Sequence, residues 1–486
     1  MSMERREPHR ANRFTLTPEP CSHGPFKGYV RLDRINSAAR YQPQMKFKAL
    51  LQQFSVENLR QAFRSLDGSK AIGIDQVTKD LYGKDLETNL QKLEDEISRG
   101  GWHPKPSREV LIPKANGGTR PLAIGCLEDK IVQQLGAKIL EAIYDHRFHR
   151  HSFGFRPRRN THQAISRLYK VVAEREENCV VVEMDLEKFF DTVDHSKLIE
   201  ILAERIEDPH FLRLVRRILR NSILSEGGEI RRNERGTPQG APISPILANI
   251  YLDAALDTWF QRNWAHCAQM VRYADDAVFV FTDLNQAQEF KAQLTKRFHE
   301  DFSLKMNDEK SGILNFSPKS QSGDLNFLGF NLYWGNKSFR STKKLLKVKT
   351  GTQKQAKAIT AFADWIKAHR NRTTLDNLWN KTAQKLRGHY SYFGLIFNRS
   401  KLGQFYASVM SLLFKWLNRR SQKRSYTSDG FIKRLRYHPL PRPSEATLID
   451  ITSGIVPELK RKMRSRMRKL RTYGSNRSPG LSPVFT

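Results

Sequence analysis

Two carboxylates stand side by side in VRYADDAVFVF, residues 271–281. Apolar, β-branched and aromatic residues flank Asp275 and Asp276. That is the pattern of two short strands with Ala274-Asp275-Asp276 at the reversal between them. Asp favours turns for local reasons, so a plain surface hairpin also accounts for the pair. The chemical reading is that the pair holds divalent metal where a phosphate group reacts. A second run, CVVVEMD (179–185), reads as a buried strand broken at Asp185. Buried strands gather their C-terminal residues at one edge of a sheet, so Asp185 is expected to face the 275–276 tip. Three carboxylates around one point would hold two Mg²⁺ ions, hard cations that take oxygen ligands and keep some water. Two such ions activate an attacking hydroxyl and stabilise the leaving oxygen of an in-line phosphoryl displacement. Mn²⁺ would be the natural substitute.

The elements that must position these residues are legible in outline. A basic helical stretch is expected from Leu32 through residue 54 and on to residue 66, then a turn at Gly73 and Asp75. Leu86, Leu90, Leu93 and Ile97 have helical spacing, ended by Gly100-Gly101. Residues 108–125 read as a hairpin with its loop at 115–118, followed by a long helix over 129–145. After the strand ending at Asp185, a turn leads to a helix capped near Asp194. Ile243, Ile246, Leu247, Ile250, Tyr251 and Ala254 form one buried helical face, with Pro245 in its first turn. Amphipathic helices with basic faces are expected at 352–369, 373–396, 400–420 and 427–437.

Charge separates the chain into two textures. Lys and Arg outnumber Asp and Glu by 83 to 50 in 486 residues, a formal +33. Residues 341–486 alone hold 32 basic against 6 acidic side chains, +26, while residues 1–340 carry only +7. A basic module attached to a nearly balanced one points to a polyanion as partner. The four cysteines, Cys21, Cys126, Cys179 and Cys267, form no CxxC pair, so neither a zinc site nor a disulfide framework follows. No apolar run is long enough for a membrane span, and the polar start argues against a secretory signal. A reducing, cytoplasmic setting is expected, nucleoid-associated through nucleic acid.

YADD (273–276), MDLEKFFDTV (184–193), RGTPQGAPISPILANIYLD (235–253) and NFLGF (326–330) together resemble the reverse transcriptase family in order and spacing. IPKANGGTRPLAIGCLEDKIVQ, HSFGFRPRRN, KLRGHYSYFG and WLNRRSQKRSYTSDGF narrow the resemblance to the bacterial group II intron-encoded reverse transcriptase–maturases, over roughly residues 30–440. The resemblance implies an α+β, right-hand polymerase fold with an antiparallel palm sheet, followed by an α-helical thumb/maturase domain. Its expected layout is a flexible tail at 1–27, a helical extension at 28–70, fingers at 71–180 and palm at 181–340. The thumb would occupy 341–440 and a basic nucleic-acid-binding tail 441–486.

The resemblance also implies roles. Asp185, Asp275 and Asp276 would be the catalytic, metal-binding triad, with Leu186 completing the metal set. Lys114 and Arg120 on the fingers hairpin would close on the incoming triphosphate, and Lys310 would lie near it. Phe190 would be an aromatic gate against a ribose 2′-OH. Pro238 would lie on the template, Gln239 and Gly240 on the nucleotide. Arg156, Tyr273, Leu328 and Gly329 would meet primer and template. Asp191 receives no role, and His146, His149 and His151 read as a basic groove wall rather than a metal site. The implied partners are an RNA template and primer, deoxynucleoside triphosphates, intron RNA and target DNA, with no membrane, as a monomer or homodimer. The HNH endonuclease of DNA-cutting members is not matched after residue 440. Two alternatives stay open: a host-adopted enzyme serving DNA repair or phage defence, and a binding-only splicing maturase.

Overall fold

The computed structural model describes residues 26–113, 118–175, 177–320, 323–336, 343–420, 426–443 and 448–451. Lys114 and nearly all of the two expected tails lie outside the described residues. Compactness divides the chain into two units, Met1–Phe148 with Phe190–Ala254, and His149–Phe189 with Ala255–Thr486. Each unit is assembled from two separate stretches. Eleven strands occur among the described residues: β1 (Ser107–Pro113), β2 (Thr119–Ile124), β3 (Val180–Met184), β4 (Ser222–Leu224), β5 (Ile230–Arg232), β6 (Gln269–Tyr273), β7 (Asp276–Phe281), β8 (Ile313–Asn315), β9 (Leu325–Phe327), β10 (Phe330–Asn336) and β11 (Lys344–Thr350).

In the first unit, the helix Leu127–Tyr144 is the spine, with Ile131, Val132, Leu135, Ile139, Leu140 and Ile143 fully buried. A side chain at Gly136 would press on Ile243, so the glycine admits the start of the helix Ser244–Leu252. The sheet runs β2-β1-β4-β5, and the expected hairpin pairs from Arg108↔Ile124 to Pro113↔Thr119. Asp194 caps the helix His195–Ala203 by accepting from the Lys197 amide. The basic helical stretch expected from Leu32 through residue 54 is broken within itself. The helix Leu32–Tyr41 stops ahead of Pro43, which disfavours helical backbone in the residue before it; a short 3-10 turn follows at Leu50–Gln53 and α-helix resumes at Val56–Ser65.

The second unit holds the antiparallel sheet β6-β7-β3-β8. Val278 and Val280 of β7 face one core, with Val181, Val271 and the helix Thr161–Glu174. Phe279 and Phe281 face the other way, into an aromatic cluster around Phe290 of the helix Leu284–Phe302. Both faces being covered explains why the strand reads as an unbroken apolar run. A second sheet, β11-β10-β9, adjoins the first core through Phe327, Phe330, Leu332, Leu346 and Val348. The helices Thr352–His369, Leu375–Phe393, Arg399–Leu417 and Ser428–Tyr437 follow closely where amphipathic spacing placed them. Their apolar stripes share a core of Phe362, Ile366, Leu386, Val409 and Leu413. The architecture is α+β with an antiparallel sheet at its centre. No helix among the described residues is long and apolar enough to cross a membrane.

Candidate active site

Register explains which carboxylates meet. β3 and β7 pair antiparallel, ending at Met184↔Ala277, so the next positions along the ladder are Asp185 and Asp276. Residues directly opposite project to the same face of a sheet. The two carboxyls share a hydrogen bond, and burial, then the charges of Asp275 and Asp185, push Asp276 up to about 7, with Lys310 pulling the other way. The Lys310 ammonium lies 3.0 Å from Asp185 Oδ2. Asp275 adjoins this pair from the turn. Among the described residues, no three His, Cys, Asp or Glu side chains gather closely enough to ligate a single ion. The oxygen-only donors, crowded until one retains a proton, nevertheless suit a hard divalent cation in kind and in charge.

Asp185 is held by its backbone. Its amide donates to Ser311 Oγ at 3.1 Å, and its carbonyl accepts from the Asn307 amide at 2.9 Å. Leu186 forms an isolated bridge with Met306, bonded through Asp185 and Glu187, which leaves the Leu186 carbonyl outside that bridge. On the other strand, Tyr273 pairs with Asp276, so the reversal consists of Ala274 and Asp275 alone. Ala274 adopts a φ of 56°, where glycine is the default and an alanine costs on the order of 1 kcal/mol. Beneath it, Arg272 is fully buried against Asp257 at 2.5 Å and donates to the Ala274 carbonyl at 2.8 Å. Removing one partner of such a pair typically costs about 3–5 kcal/mol. Sequence reasoning missed Asp257 and Ser311. The available signal was Arg272 itself, a charge inside an apolar strand that had to find a partner.

The first unit carries the other nucleotide-side candidates. Gln239 accepts from the Ala123 amide through its carbonyl, and its side-chain Nε2 donates to Asp191 Oδ1 at 3.0 Å. Asp191 thereby acquires a contact that its sequence did not suggest. Gly240 has a φ of +101°, and a Cβ there would strike Leu122. The Phe190 carbonyl accepts from the Thr237 amide, and a Cβ at Gly236 would collide with that same carbonyl. Phe190, Gln239 and Gly240 are therefore fastened to one another and to β2. Gly240 also borders a cavity of about 350 Å³ lined by Ile72, Leu122, Ile124, Leu127 and Lys130. Pro238 opens this loop, its carbonyl accepting from Ser244 Oγ. Arg120 is exposed near the start of β2, opposite Ile112.

In the second unit, Leu328 and Gly329 form the two-residue turn between β9 and β10, with φ of 52° and 80°. Two positive φ values define the hairpin turn whose twist suits antiparallel strands. Tyr392 Oη donates to the Leu328 carbonyl at 3.0 Å, and its ring stacks on Phe330. Arg156 is largely buried and donates to the His149 and Ser152 carbonyls, which fastens its own loop. Burial lowers His146 and His149 and takes His151 down to about 3, while Arg147 and Arg150 of the same stretch are exposed.

Residues 112–332 match the family model described as reverse transcriptase (RNA-dependent DNA polymerase). Protein YkfC of Escherichia coli K12 is 31% identical over 335 residues, 62% of this chain and 86% of that one. The group II intron-encoded protein LtrA of Lactococcus lactis is 32% identical over 192 residues, 39% of this chain and 31% of LtrA. The COX1/OXI3 intron 1 protein of Saccharomyces cerevisiae is 38% identical over 172 residues, 35% of this chain and 20% of that protein. The matched part thus spans under a third of either intron-encoded relative. The telomerase of Candida albicans, solved with a fragment of telomeric RNA, aligns at a TM-score of 0.41 and 14% identity over 72% of this chain and 64% of that one. Likeness at that level adds nothing to the assignment. The chain belongs to the reverse transcriptase family, and part of it is similar to group II intron-encoded proteins.

Proposed function

We propose that the chain extends a primer on an RNA template with deoxynucleoside triphosphates, and that it also binds intron RNA to assist splicing and mobility. The observation that carries the polymerase reading is the Asp185–Asp276 pair, placed by register at the end of the antiparallel sheet, with Asp275 beside it. Asp185, Asp275 and Asp276, with the Leu186 carbonyl, would hold two Mg²⁺ ions. Bound there, the ions would activate the primer hydroxyl and stabilise the departing pyrophosphate.

The protein's own groups supply positioning and charge. Lys310 offsets negative charge on Asp185 while the site is open to solvent. On this reading it passes to the triphosphate when nucleotide arrives, as Arg120 and Lys114 do from the hairpin. Once docked there, these cations would neutralise the charge that develops on the triphosphate. The Phe190 ring would exclude a 2′-OH by shape, steadied by the Thr237 bond to its carbonyl. The loop at 238–240 would lie along the nucleotide and template base, since a glycine there lets backbone approach closely. Leu328 and Gly329 would hold the primer terminus.

Primer extension on an RNA template tests the reading. Asp275→Ala and Asp276→Ala should each abolish extension while leaving RNA binding nearly intact. Full extension by the double alanine variant would sink it. Splicing assistance is a separate expectation, read by whether folded intron RNA domains flank the reading frame.

A further inference from the structure

The reversal that presents Asp275 and Asp276 is only two residues long and contains a strained alanine, so something outside it must hold its shape. Arg272 is built to do so. Its Nε donates to Asp257 Oδ1 at 2.8 Å and its Nη2 to Oδ2 at 2.5 Å, while Nη1 reaches the Ala274 carbonyl at 2.8 Å. Both side chains are essentially inaccessible, at 0% and 1%. Asp257 closes a five-residue π-type turn, Asp253–Asp257, a local widening of the helix that precedes it.

The other side of the turn is fixed as well. The Arg272 amide donates to the His151 carbonyl, and its carbonyl accepts from the Phe153 amide. A Cβ on Gly154 would overlap the Ala274 amide nitrogen. The reversal is therefore held between a guanidinium on one side and a glycine on the other.

Core stability alone does not call for an ion pair here. Well-packed apolar residues of similar volume serve as well or better in most buried positions. The guanidinium offers something they lack, a planar fork that binds one carboxylate bidentately and still presents a donor elsewhere. We propose that Arg272 and Asp257 are positioning residues that, with Gly154, hold the Ala274–Asp275 reversal in the geometry that metal ligation by Asp275 and Asp276 requires. This rests on the reading of those carboxylates as metal ligands.

The test is the full-length pair Asp257→Leu with Arg272→Met, which removes the ion pair without stranding a charge. Mn²⁺ affinity is measured by electron paramagnetic resonance without nucleotide, alongside thermal melting and pre-steady-state extension. The expected result is a melting temperature within a few degrees of the parent, Mn²⁺ affinity down tenfold or more, and a much slower burst at unchanged burst amplitude and nucleotide KM. Arg272→Lys, keeping the charge but not the fork, should fall between. A folded double variant with parental Mn²⁺ affinity and burst rate overturns the proposal. So does a large drop in melting temperature with parental Mn²⁺ affinity per folded molecule. If the double variant does not fold, Gly154→Ala pushes on the reversal without touching the pair, and parental Mn²⁺ affinity in it overturns the proposal equally. A parent that binds Mn²⁺ yet extends no primer would defeat the polymerase reading while leaving the Mn²⁺ comparison valid.

Discussion

Asp276 is where the charge balance of the site is most exposed to experiment. Burial and the neighbouring charges of Asp275 and Asp185 raise its carboxyl to about 7. If a cation displaces the proton of that carboxyl as proposed, primer extension at limiting Mg²⁺ should rise with pH around neutrality. Excess Mg²⁺ should move that rise to lower pH. A rise indifferent to Mg²⁺ would show that another group titrates. Asp129 offers a parallel case remote from catalysis. It is 2% exposed, accepts from the Lys105 amide, and burial raises it to about 7. A folded state that holds a proton the unfolded chain has released loses stability as pH rises from about 4 to 7. Asp129→Asn keeps the acceptor and removes the charge. It should stabilise the protein at pH 8 by roughly 1–3 kcal/mol and by much less at pH 5, as melting at the two pH values will show. Asp185, Asp275 and Asp276 were legible because acidic residues interrupt apolar strands. Asp257 was not, because nothing local marks an aspartate in a helix as the partner of an arginine fifteen positions on.

At the level of elements, caps and periodicity carried far. Asp194 and the four late helices lie close to where the sequence placed them, since capping and apolar stripes act within a few residues. Pairing of β3 with β7 was only inferable, because register depends on strands remote in sequence. Two elements invite substitution. Gly329→Ala places a Cβ at a φ of 80° and should cost about 1 kcal/mol while impairing extension from a matched primer end. Thermal melting and single-nucleotide extension will read both. Phe190→Val removes the proposed gate from the short helix Phe189–Thr192. Ribonucleotide incorporation should rise about tenfold or more, equivalent to ~1.4 kcal/mol of discrimination. Unaltered discrimination between the two sugars would put the gate elsewhere.

Over the whole molecule the dominant quantity is charge. The +26 of residues 341–486 exceeds what a triphosphate site needs, and on the late helices Lys357, Lys381 and Arg387 are exposed. RNA affinity should therefore fall steeply with salt. Exchanging these three for Gln should lower the slope of log K against log salt by about 0.7 for each that meets a single-stranded phosphate. Titrations at several salt concentrations measure it, and an unchanged slope would place the RNA on another face. Simple truncation near residue 345 is a poor substitute, because β11 pairs with β10 along seven positions and its loss would strip that sheet.

Because each unit is composed of two stretches, neither is complete when its first stretch has been made. On a ribosome, residues 1–148 would emerge with the helix Leu127–Tyr144 still lacking its neighbour from 244–252. They would wait for more than a hundred further residues before that apolar surface could close. The second unit would meanwhile have begun at residue 149 and been interrupted at 189. Synthesis at about 5–20 residues per second makes this a delay of several seconds or more, during which unfinished surface is open to chaperones and proteases. The interleaving also governs how the protein can be divided for expression. Halves split at 148/149 should be insoluble apart, because the cut leaves the first unit without Phe190–Ala254.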